Sequence, residues 1–237
     1  MKKHNIFEGP RAQAMKEYSH KSFVCIEDDY YKHGAGVFLT LINRFELKQT
    51  DKLLDIGCGS LRIGKYLIPF LEAENYHGIE PEEKYLTEGI KWEMSDLMMN
   101  LKKPKFNNSP DFDLKMFEQT FDFALASQVF IHCSPSQLRR CLSNLKYCLS
   151  KNGRFIFHVR FGEQTKVTSW EQAKKDKLPW YEDRPYRFSD NCGTEYSVSD
   201  LDEILDNTGF KRTQVFCRKE YKIQMAPPAT IVEVKLK

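Results

Sequence analysis

A short strand followed by a glycine turn and a helix constrains the fold of this chain more than any other feature. The run Leu53 to Ile56 has the apolar character of a buried strand, and Gly57 ends it. Apolar residues then recur at helical spacing from Ile63 to Leu71. A buried strand that leads through glycines into an amphipathic helix is typical of a parallel α/β sheet with helical crossovers.

The same alternation of strand and helix repeats along the chain and predicts a doubly wound, mostly parallel α/β sheet of seven strands. Further strands are predicted at 76–79, 105–108, 121–126, 154–159, 212–217 and 230–235, and helices at 82–101, 135–149 and 198–207. Parallel strands need helical crossovers. The last two strands are separated by a short link with Pro227-Pro228, so we expect them to form a terminal antiparallel hairpin.

Composition predicts one domain with additions. The chain has 237 residues and 41% hydrophobic content. Its formal net charge is only +3, and this small charge argues against a nucleic-acid partner. We interpret residues 1–50 as a helical cover and 51–237 as the main domain, with an insert at about 162–194.

No apolar run approaches a membrane span, and the amino terminus lacks a secretory apolar stretch, so we expect a cytoplasmic protein. The seven cysteines contain no CxxC pair, and no metal site is expected.

The residues around the glycine turn indicate the class of ligand. Asp55 precedes the glycines, and its carboxylate would repel a pyrophosphate and attract a cation. The third glycine of the dinucleotide fingerprint is replaced by Arg62, which argues against NAD or FAD. Glu80 follows the next strand, where a carboxylate accepts hydrogen bonds from ribose hydroxyls. Together these features favour an adenosyl ligand with an amino-acid tail.

Three stretches carry a resemblance to a known family. LLDIGCGSLRIGKYLIPFLEAENYHGIEP, FDFALASQVFIHCSPSQLRRCL and GRFIFHV resemble the class I S-adenosylmethionine (SAM) dependent methyltransferases over about residues 30–160, and within them a bacterial small-molecule or glycan-type subgroup. The resemblance implies a Rossmann-like fold, with residues 1–50 covering the cofactor. The residues it assigns to SAM are Asp55, Gly57, Cys58 and Gly59 for the methionine part, Glu80 and Pro81 for the ribose, Asp111 and Phe112 for the adenine, and Ala126, Ser127 and Gln128 below the sulfonium. Arg62 is expected to be structural or a substrate contact, not a SAM ligand.

The sequence indicates the residues that would contact the methyl acceptor less specifically than those that would bind the cofactor. Because His132 follows the fourth strand, it is the candidate general base, although a histidine bonded to nearby backbone explains it equally well. The candidate substrate contacts are Tyr31, His33, Arg160 and Trp170. The insert also contains Trp180, Tyr181, Arg184, Tyr186 and Arg187, side chains that suit a sugar, phosphate or aromatic acceptor.

The sequence therefore predicts a SAM-dependent methyltransferase that modifies an oxygen or nitrogen atom of a small-molecule or glycan acceptor. Two alternatives stay open at this point. One is a SAM-binding partner or sensor protein without turnover, and the other, less favoured, is an NAD(P)-dependent oxidoreductase. Neither a membrane span nor a nucleic-acid partner is expected, and no oligomeric state is predicted.

Overall fold

The computed structural model describes residues 20–21, 24, 29–177, 191–216 and 229–237. Within these ranges, helices pack on both faces of a central β-sheet. Helix α1 (Tyr30–Phe45) precedes the first strand and contributes Val37, Leu41 and Phe45 to the core on one face. None of the described helices is both long and apolar enough to cross a membrane.

The first half of the sheet consists of three strands with helical connections. These elements are β1 (Leu53–Ile56), α2 (Gly64–Phe70), β2 (Tyr76–Ile79), α3 (Glu83–Glu93), α4 (Asp96–Lys102) and β3 (Lys105–Asn107). β2 pairs in parallel with β1 and with β3. Every residue of β1 and β2 is buried, including the polar residues Asp55 and His77.

The second half begins with β4 (Phe121–Ala126), α5 (Pro135–Leu145) and β5 (Leu149–Phe161). A capping box at Ser134, together with Pro135 in the first turn, fixes the start of α5. β4 lies between β1 and β5 and is parallel to both. The carboxyl ends of β1, β2, β4 and β5 therefore meet at one edge of the sheet.

The insert is more ordered than a loop within its described part. It forms β6 (Lys166–Thr168), α6 (Trp170–Lys175) and β7 (Gly193–Tyr196). β7 pairs in parallel with the last two residues of β5 and antiparallel with β6. The insert is thus attached to the end of β5, beside the edge where ligands bind in such sheets.

The chain ends with α7 (Val198–Thr208), β8 (Phe210–Phe216) and β9 (Thr230–Leu236). β9 pairs antiparallel with both β5 and β8, so the main sheet has the order β3-β2-β1-β4-β5-β9-β8. The seven predicted strands, the mostly parallel sheet and the terminal antiparallel pair are confirmed, and β6 and β7 bring the sheet to nine strands in the described part of the chain. Its strand order reverses between β1 and β4, which places a crevice between the loops that follow these two strands.

Two local predictions need correction. The predicted helix over 82–101 is two helices, because Ser95 caps α4 by accepting a hydrogen bond from the Met98 N–H. The apolar periodicity continues across this break, so periodicity alone did not reveal it. The helix predicted over 135–149 ends at Leu145.

Candidate active site

The glycine turn after β1 is closed by hydrogen bonds to the end of β2. The N–H groups of Gly57 and Cys58 both donate to the Ile79 carbonyl, at 2.8 and 3.1 Å. The Gly59 N–H donates to Oε2 of Glu80 at 2.9 Å. These three donors are therefore already used, whereas a phosphate-binding turn presents such groups to its ligand. The turn is built for a ligand other than a pyrophosphate.

Both glycines are required by backbone conformation and by space. Gly57 and Gly59 have φ values of +71° and +56°, where L side chains are strained. A Cβ on Gly57 would lie 2.5 Å from Val129 Cγ2. The turn after β1 therefore packs directly against the segment after β4, across the crevice.

Asp55 is held from below by a residue of the neighbouring strand. Its Oδ2 accepts a hydrogen bond from the Tyr76 hydroxyl at 2.8 Å, and the carboxyl group is buried. Burial raises the pKa of Asp55 to about 6, although the Tyr76 hydrogen bond and the nearby Arg62 charge favour the ionised form. Asp55 thus carries a negative charge in the crevice at neutral pH.

Glu80 links the glycine turn to the start of α3. Its Oε2 accepts from the Gly59 N–H, and its Oε1 accepts from the Glu82 N–H at 3.0 Å. Each oxygen keeps a further lone pair for a ligand hydroxyl. Burial raises the pKa of Glu80 to about 7, so its ionisation is sensitive to pH near neutrality.

Arg62 spans the crevice between the loops that follow β1 and β4. Its guanidinium donates to the Val24 carbonyl at 3.3 Å and to the side-chain oxygen of Gln128 at 3.1 Å. The side chain is 6% exposed. The α1 backbone packs tightly behind it, since a Cβ on Gly34 would lie 2.1 Å from the Arg62 carbonyl oxygen.

Two buried histidines lie next to this guanidinium. His33 Nε2 of α1 is 3.3 Å from Ser127 Oγ, and the Gln128 N–H donates to Nδ1 of His158 at 3.4 Å. Burial lowers the pKa of His33 well below its usual range and that of His158 to about 4, and the Arg62 charge lowers both further. Both imidazoles are therefore neutral at pH 7.

The loop that carries His132 is fastened to β5 and to the insert. The Ile131 carbonyl accepts from the Thr194 N–H at 2.8 Å and from the Arg160 guanidinium at 3.1 Å. His132 Nδ1 is 3.0 Å from the Cys192 carbonyl oxygen. The Tyr196 hydroxyl donates to the carbonyl of the next residue in the loop at 3.3 Å. These four contacts fix the position of the loop relative to β5 and the insert.

The comparisons with known proteins identify the family. The model of a methyltransferase domain matches residues 30–215, a range that begins with α1 and includes the glycine turn, Glu80 and the His132 loop. The chain belongs to the methyltransferase domain family. It is a class I SAM-dependent methyltransferase, as the sequence predicted.

Solved methyltransferase structures share the fold at low sequence identity. One is magnesium protoporphyrin IX methyltransferase from Synechocystis PCC 6803 with bound SAH, with a TM-score of 0.62, 16% identity and coverage of 90% of this chain and 85% of that one. The mitomycin 7-O-methyltransferase MmcR gives a TM-score of 0.64 at 14% identity, with coverage of 97% and 59%. The glycopeptide N-methyltransferase MtfA gives 0.61 at 12% identity, with coverage of 86% and 90%.

The residues of the crevice fit SAM. The turn leaves no room for a side chain at Gly57 or Gly59, and its N–H groups are unavailable to a pyrophosphate. The two buried carboxylates, those of Asp55 and Glu80, suit a ligand that carries an ammonium group and ribose hydroxyls. When bound, SAM supplies a methyl group on a sulfonium centre. The family match and this donor set exclude the oxidoreductase alternative.

Some of the remaining predicted cofactor residues are buried in the structure and others lie at the surface. Cys58 is buried beside Gly78 in the methyltransferase core, and burial raises the pKa of its thiol well above the usual range. Pro81 is exposed between Glu80 and α3, and Ala126 is the buried last residue of β4. Asp111 forms an ion pair with Arg140 at the surface.

Phe112 and Asn107 lie closer to the core than Asp111 does. Phe112 has a φ of +55° and packs against Phe130, with ring centroids 6.1 Å apart. Asn107, at the end of β3, is buried, and its side chain accepts from the Ser109 N–H at 2.7 Å and donates to the Asp113 carbonyl at 3.2 Å. The adenine contact of Asp111 and Phe112 stays a prediction.

Two of the candidate substrate residues lie apart from the crevice cluster. The Tyr31 hydroxyl donates to Glu93 at 3.2 Å, and Lys65 Nζ lies 4.1 Å from the Tyr31 ring centroid. Trp170 is the buried first residue of α6. The remaining predicted aromatics and arginines of the insert, at 180–187, fall outside the described residues. No group of three or more metal-ligating side chains occurs in the described part of the chain.

Sequence reasoning missed two residues of the site. Tyr76 was assigned only to a strand, and its role follows from the parallel register that places Leu53 beside Tyr76 and Asp55 beside Gly78. His158 was part of an apolar strand. A polar residue within the run Phe155 to Val159 was the signal, because a buried strand rarely includes an imidazole without a partner.

Proposed function

We propose that this methyltransferase transfers the methyl group to an oxygen or nitrogen atom of a small-molecule or glycan acceptor, with His132 as the general base. The observation that carries the proposal is the contact between His132 Nδ1 and the Cys192 carbonyl. A carbonyl oxygen only accepts hydrogen bonds, so Nδ1 carries the hydrogen in this contact. In the tautomer with the hydrogen on Nδ1, the basic lone pair of the imidazole belongs to Nε2.

A base in this position suits hydroxyl and amine acceptors. Such a group loses one proton when its oxygen or nitrogen gains the methyl group, and a positioned base that takes up this proton contributes roughly 10²- to 10⁴-fold in rate. The remaining acceleration comes from alignment of the reacting atoms and exclusion of water. The four contacts that fix the His132 loop serve this alignment.

Arg160 favours an acceptor with a negatively charged group. Its side chain is buried at the end of β5 and donates to the Ile131 carbonyl, next to His132 in the same loop. Burial lowers the pKa of Arg160 to about 10, so the group stays cationic at neutral pH. A guanidinium there would pair with a carboxylate or phosphate of the acceptor.

The fold neighbours support a small acceptor, since their names give magnesium protoporphyrin IX, mitomycin and a glycopeptide as the compounds methylated.

The proposal also includes a role for residues 1–50 as a cover over the cofactor site. Within that segment, the Tyr30 hydroxyl donates to the Ser60 carbonyl at 2.6 Å, and His33 contacts Ser127. A cytoplasmic location stays a prediction.

An acceptor screen that detects S-adenosylhomocysteine formation tests the proposal. We expect turnover with small hydroxyl or amine compounds that carry a carboxylate or phosphate. Methylation of RNA or protein alone would contradict the acceptor class.

Two substitutions at one position then test the base. His132→Ala removes both ring nitrogens, whereas His132→Asn retains a donor for the Cys192 carbonyl and lacks the base. We expect both variants to lose roughly 100-fold or more in kcat, with affinity for S-adenosylhomocysteine within about twofold of wild type. Recovery of kcat in His132→Asn would show that the histidine only fastens the loop.

A further inference from the structure

His158 is a buried histidine with one unsatisfied ring nitrogen. Its neighbours in β5, Phe157 and Val159, belong to the core on one face of the sheet, so the imidazole lies on the opposite face. The side chain is 1% exposed. Nδ1 accepts the Gln128 N–H, whereas none of the described residues makes a hydrogen bond with Nε2. Because most buried polar groups have a partner, Nε2 indicates a place for a ligand atom.

The contact with Gln128 decides which nitrogen of the ring carries the hydrogen. A backbone N–H only donates, so Nδ1 is the acceptor and the neutral ring carries its hydrogen on Nε2. Gln128 has a φ of +63°, a conformation that is uncommon for a residue with a side chain and that clusters at functional sites. Its side-chain oxygen accepts from Arg62. His158 is therefore held as a hydrogen-bond donor at Nε2.

The ring keeps this donor role at neutral pH. Burial lowers the pKa of His158 to about 4, and the Arg62 charge lowers it further, which outweighs the opposite influence of the Ala126 carbonyl. A neutral imidazole with its hydrogen on Nε2 can only donate at that atom. The partner that Nε2 lacks is therefore an atom with a lone pair.

This donor lies at the end of β4, where the methyl group is expected. Phe157 pairs with Ala126 in the parallel register, and His158 contacts the backbone of Gln128. The residues from Ala126 to Gln128 are those predicted to lie below the sulfonium. From α1, His33 Nε2 approaches to 3.3 Å from Ser127 Oγ, and its ring centroid lies 6.4 Å from that of His158. A ligand atom bound at Nε2 would thus lie beside the predicted position of the methyl group.

His77 shows what a buried histidine without a ligand looks like in this protein. Both of its ring nitrogens also lack hydrogen-bond partners among the described residues. Its ring, however, packs against the rings of Phe117 and Phe121, with centroids 5.1 and 5.0 Å away. Aromatic packing accounts for His77, whereas His158 lies among the polar groups of the crevice.

We propose that His158 determines which atom is methylated: its Nε2–H donates to the acceptor atom that receives the methyl group, and this atom is an oxygen. An amine nitrogen has a single lone pair, which cannot both accept this hydrogen bond and attack the methyl carbon. A hydroxyl or carboxylate oxygen has lone pairs for both. This oxygen bonds to the methyl carbon as the carbon–sulfur bond breaks, the electron pair stays on sulfur, and a hydroxyl proton passes to His132. The inference rests on the proposed function and narrows its acceptor atom to oxygen.

The first test follows the ring nitrogens of His158 by NMR in the full chain saturated with S-adenosylhomocysteine. Phenol and aniline are the matched probes, because they differ only in the hydroxyl and amino groups. We expect the hydrogen on Nε2, a shift of the Nε2 signal with phenol, and binding of phenol roughly tenfold or more tightly than aniline. A hydrogen on Nδ1, or an Nε2 signal that does not respond to phenol, would overturn the inference. A response to S-adenosylhomocysteine alone would assign the partner of Nε2 to the cofactor.

Two substitutions separate the Nε2 donor from the contact with Gln128. His158→Asn keeps an amide oxygen near the position of Nδ1 and lacks the outer donor, whereas His158→Gln extends an amide donor towards the position of Nε2. We expect His158→Asn to lose the preference for phenol over aniline and His158→Gln to retain part of it. Affinity for S-adenosylhomocysteine should stay within about twofold of wild type in both variants.

The matched control is His77→Asn, which changes another buried strand histidine and should keep the preference of wild type for phenol. Equal weakening of phenol and S-adenosylhomocysteine in His158→Asn would indicate a structural role. Turnover in which only amines are methylated would overturn the assignment to oxygen and leave the proposed methyltransferase activity intact. Failure of wild type to bind S-adenosylhomocysteine would instead contradict the proposed cofactor site.

Discussion

The two sides of the crevice are built by different means. On the β1 and β2 side, the side-chain hydrogen bonds of Asp55 and Glu80 that order the glycine turn stay within residues 55–82. On the β4 and β5 side, the His132 loop is ordered by residues some 60 positions away, at Cys192, Thr194 and Tyr196. The cofactor side is thus a local structure and the acceptor side depends on the insert.

This difference implies that substitutions on one side of the crevice should leave the function of the other side intact. Substitutions in the turn should change cofactor affinity, and substitutions in the β7 contacts should change turnover. The element that joins the two sides is α1, which contacts the turn through Tyr30 and Gly34 and the end of β4 through His33.

The largest expected effect is therefore at α1. In Gly34→Ala the new Cβ would meet the Arg62 carbonyl oxygen at 2.1 Å, a backbone atom that cannot move without the turn. We expect a loss of about 3 kcal/mol in the free energy of unfolding, together with weaker binding of S-adenosylhomocysteine. Chemical denaturation measures the first quantity. Gly36→Ala, in the same helix at a half-buried position, is the control and should be neutral or stabilising.

Removal of the Asp55 carboxylate should affect the cofactor side next. Asp55→Ala leaves the buried Tyr76 hydroxyl without its acceptor and removes the charge that faces the ammonium group. We expect affinity for S-adenosylhomocysteine to fall roughly 100-fold. Tyr76→Phe separates the two contributions, since it keeps the charge and should cost about tenfold or less. Unchanged affinity in Asp55→Ala would show that the cofactor lies elsewhere.

The pH dependence of binding sharpens the assignment of Glu80. The ionised carboxylate accepts hydrogen bonds, and its pKa is about 7, so affinity for S-adenosylhomocysteine should decrease roughly tenfold from pH 8 to pH 6. In Glu80→Gln the midpoint of the pH dependence of affinity should shift down towards about 6, the pKa of Asp55. A profile that is flat from pH 8 to 6 in wild type would contradict the role of Glu80.

The raised pKa of Glu80 should change the stability of the protein with pH in the opposite direction to the ligand affinity. Because the folded pKa of Glu80 is raised from 4.5 to about 7, the folded state binds more protons than the unfolded state between these values. The contribution of Glu80 to stability of the ligand-free protein is therefore present at low pH and is lost as pH rises towards 7. Thermal unfolding of wild type and Glu80→Gln at pH 5.5 and 8 measures this difference.

The smallest expected effect concerns the acceptor side. Tyr196→Phe removes one of the four contacts of the His132 loop, the hydrogen bond to the Cys133 carbonyl. A single neutral hydrogen bond contributes about 1 kcal/mol, so kcat should fall a few-fold while affinity for S-adenosylhomocysteine stays the same. A change in affinity with unchanged kcat would contradict the separation of the two sides.

The comparison also explains how much the sequence could predict. The bounds of β2 and β4 were predicted correctly, because apolar residues begin and end both strands. The break at Ser95 was missed because apolar spacing continues from Ile90 to Leu97 across it. The acceptor side was predicted only as candidates, since pairing of β7 with β5 brings together residues that no local pattern connects.

Titration of the wild-type protein with S-adenosylhomocysteine, with NAD as the comparison, tests the central claim most directly. Asp55 and Glu80 place two buried carboxylates beside the glycine turn, and the turn offers no free N–H at Gly57, Cys58 or Gly59 for a pyrophosphate. We therefore expect saturable, one-to-one binding of S-adenosylhomocysteine and none of NAD. Binding of NAD alone, or of neither ligand, would contradict the account of the crevice.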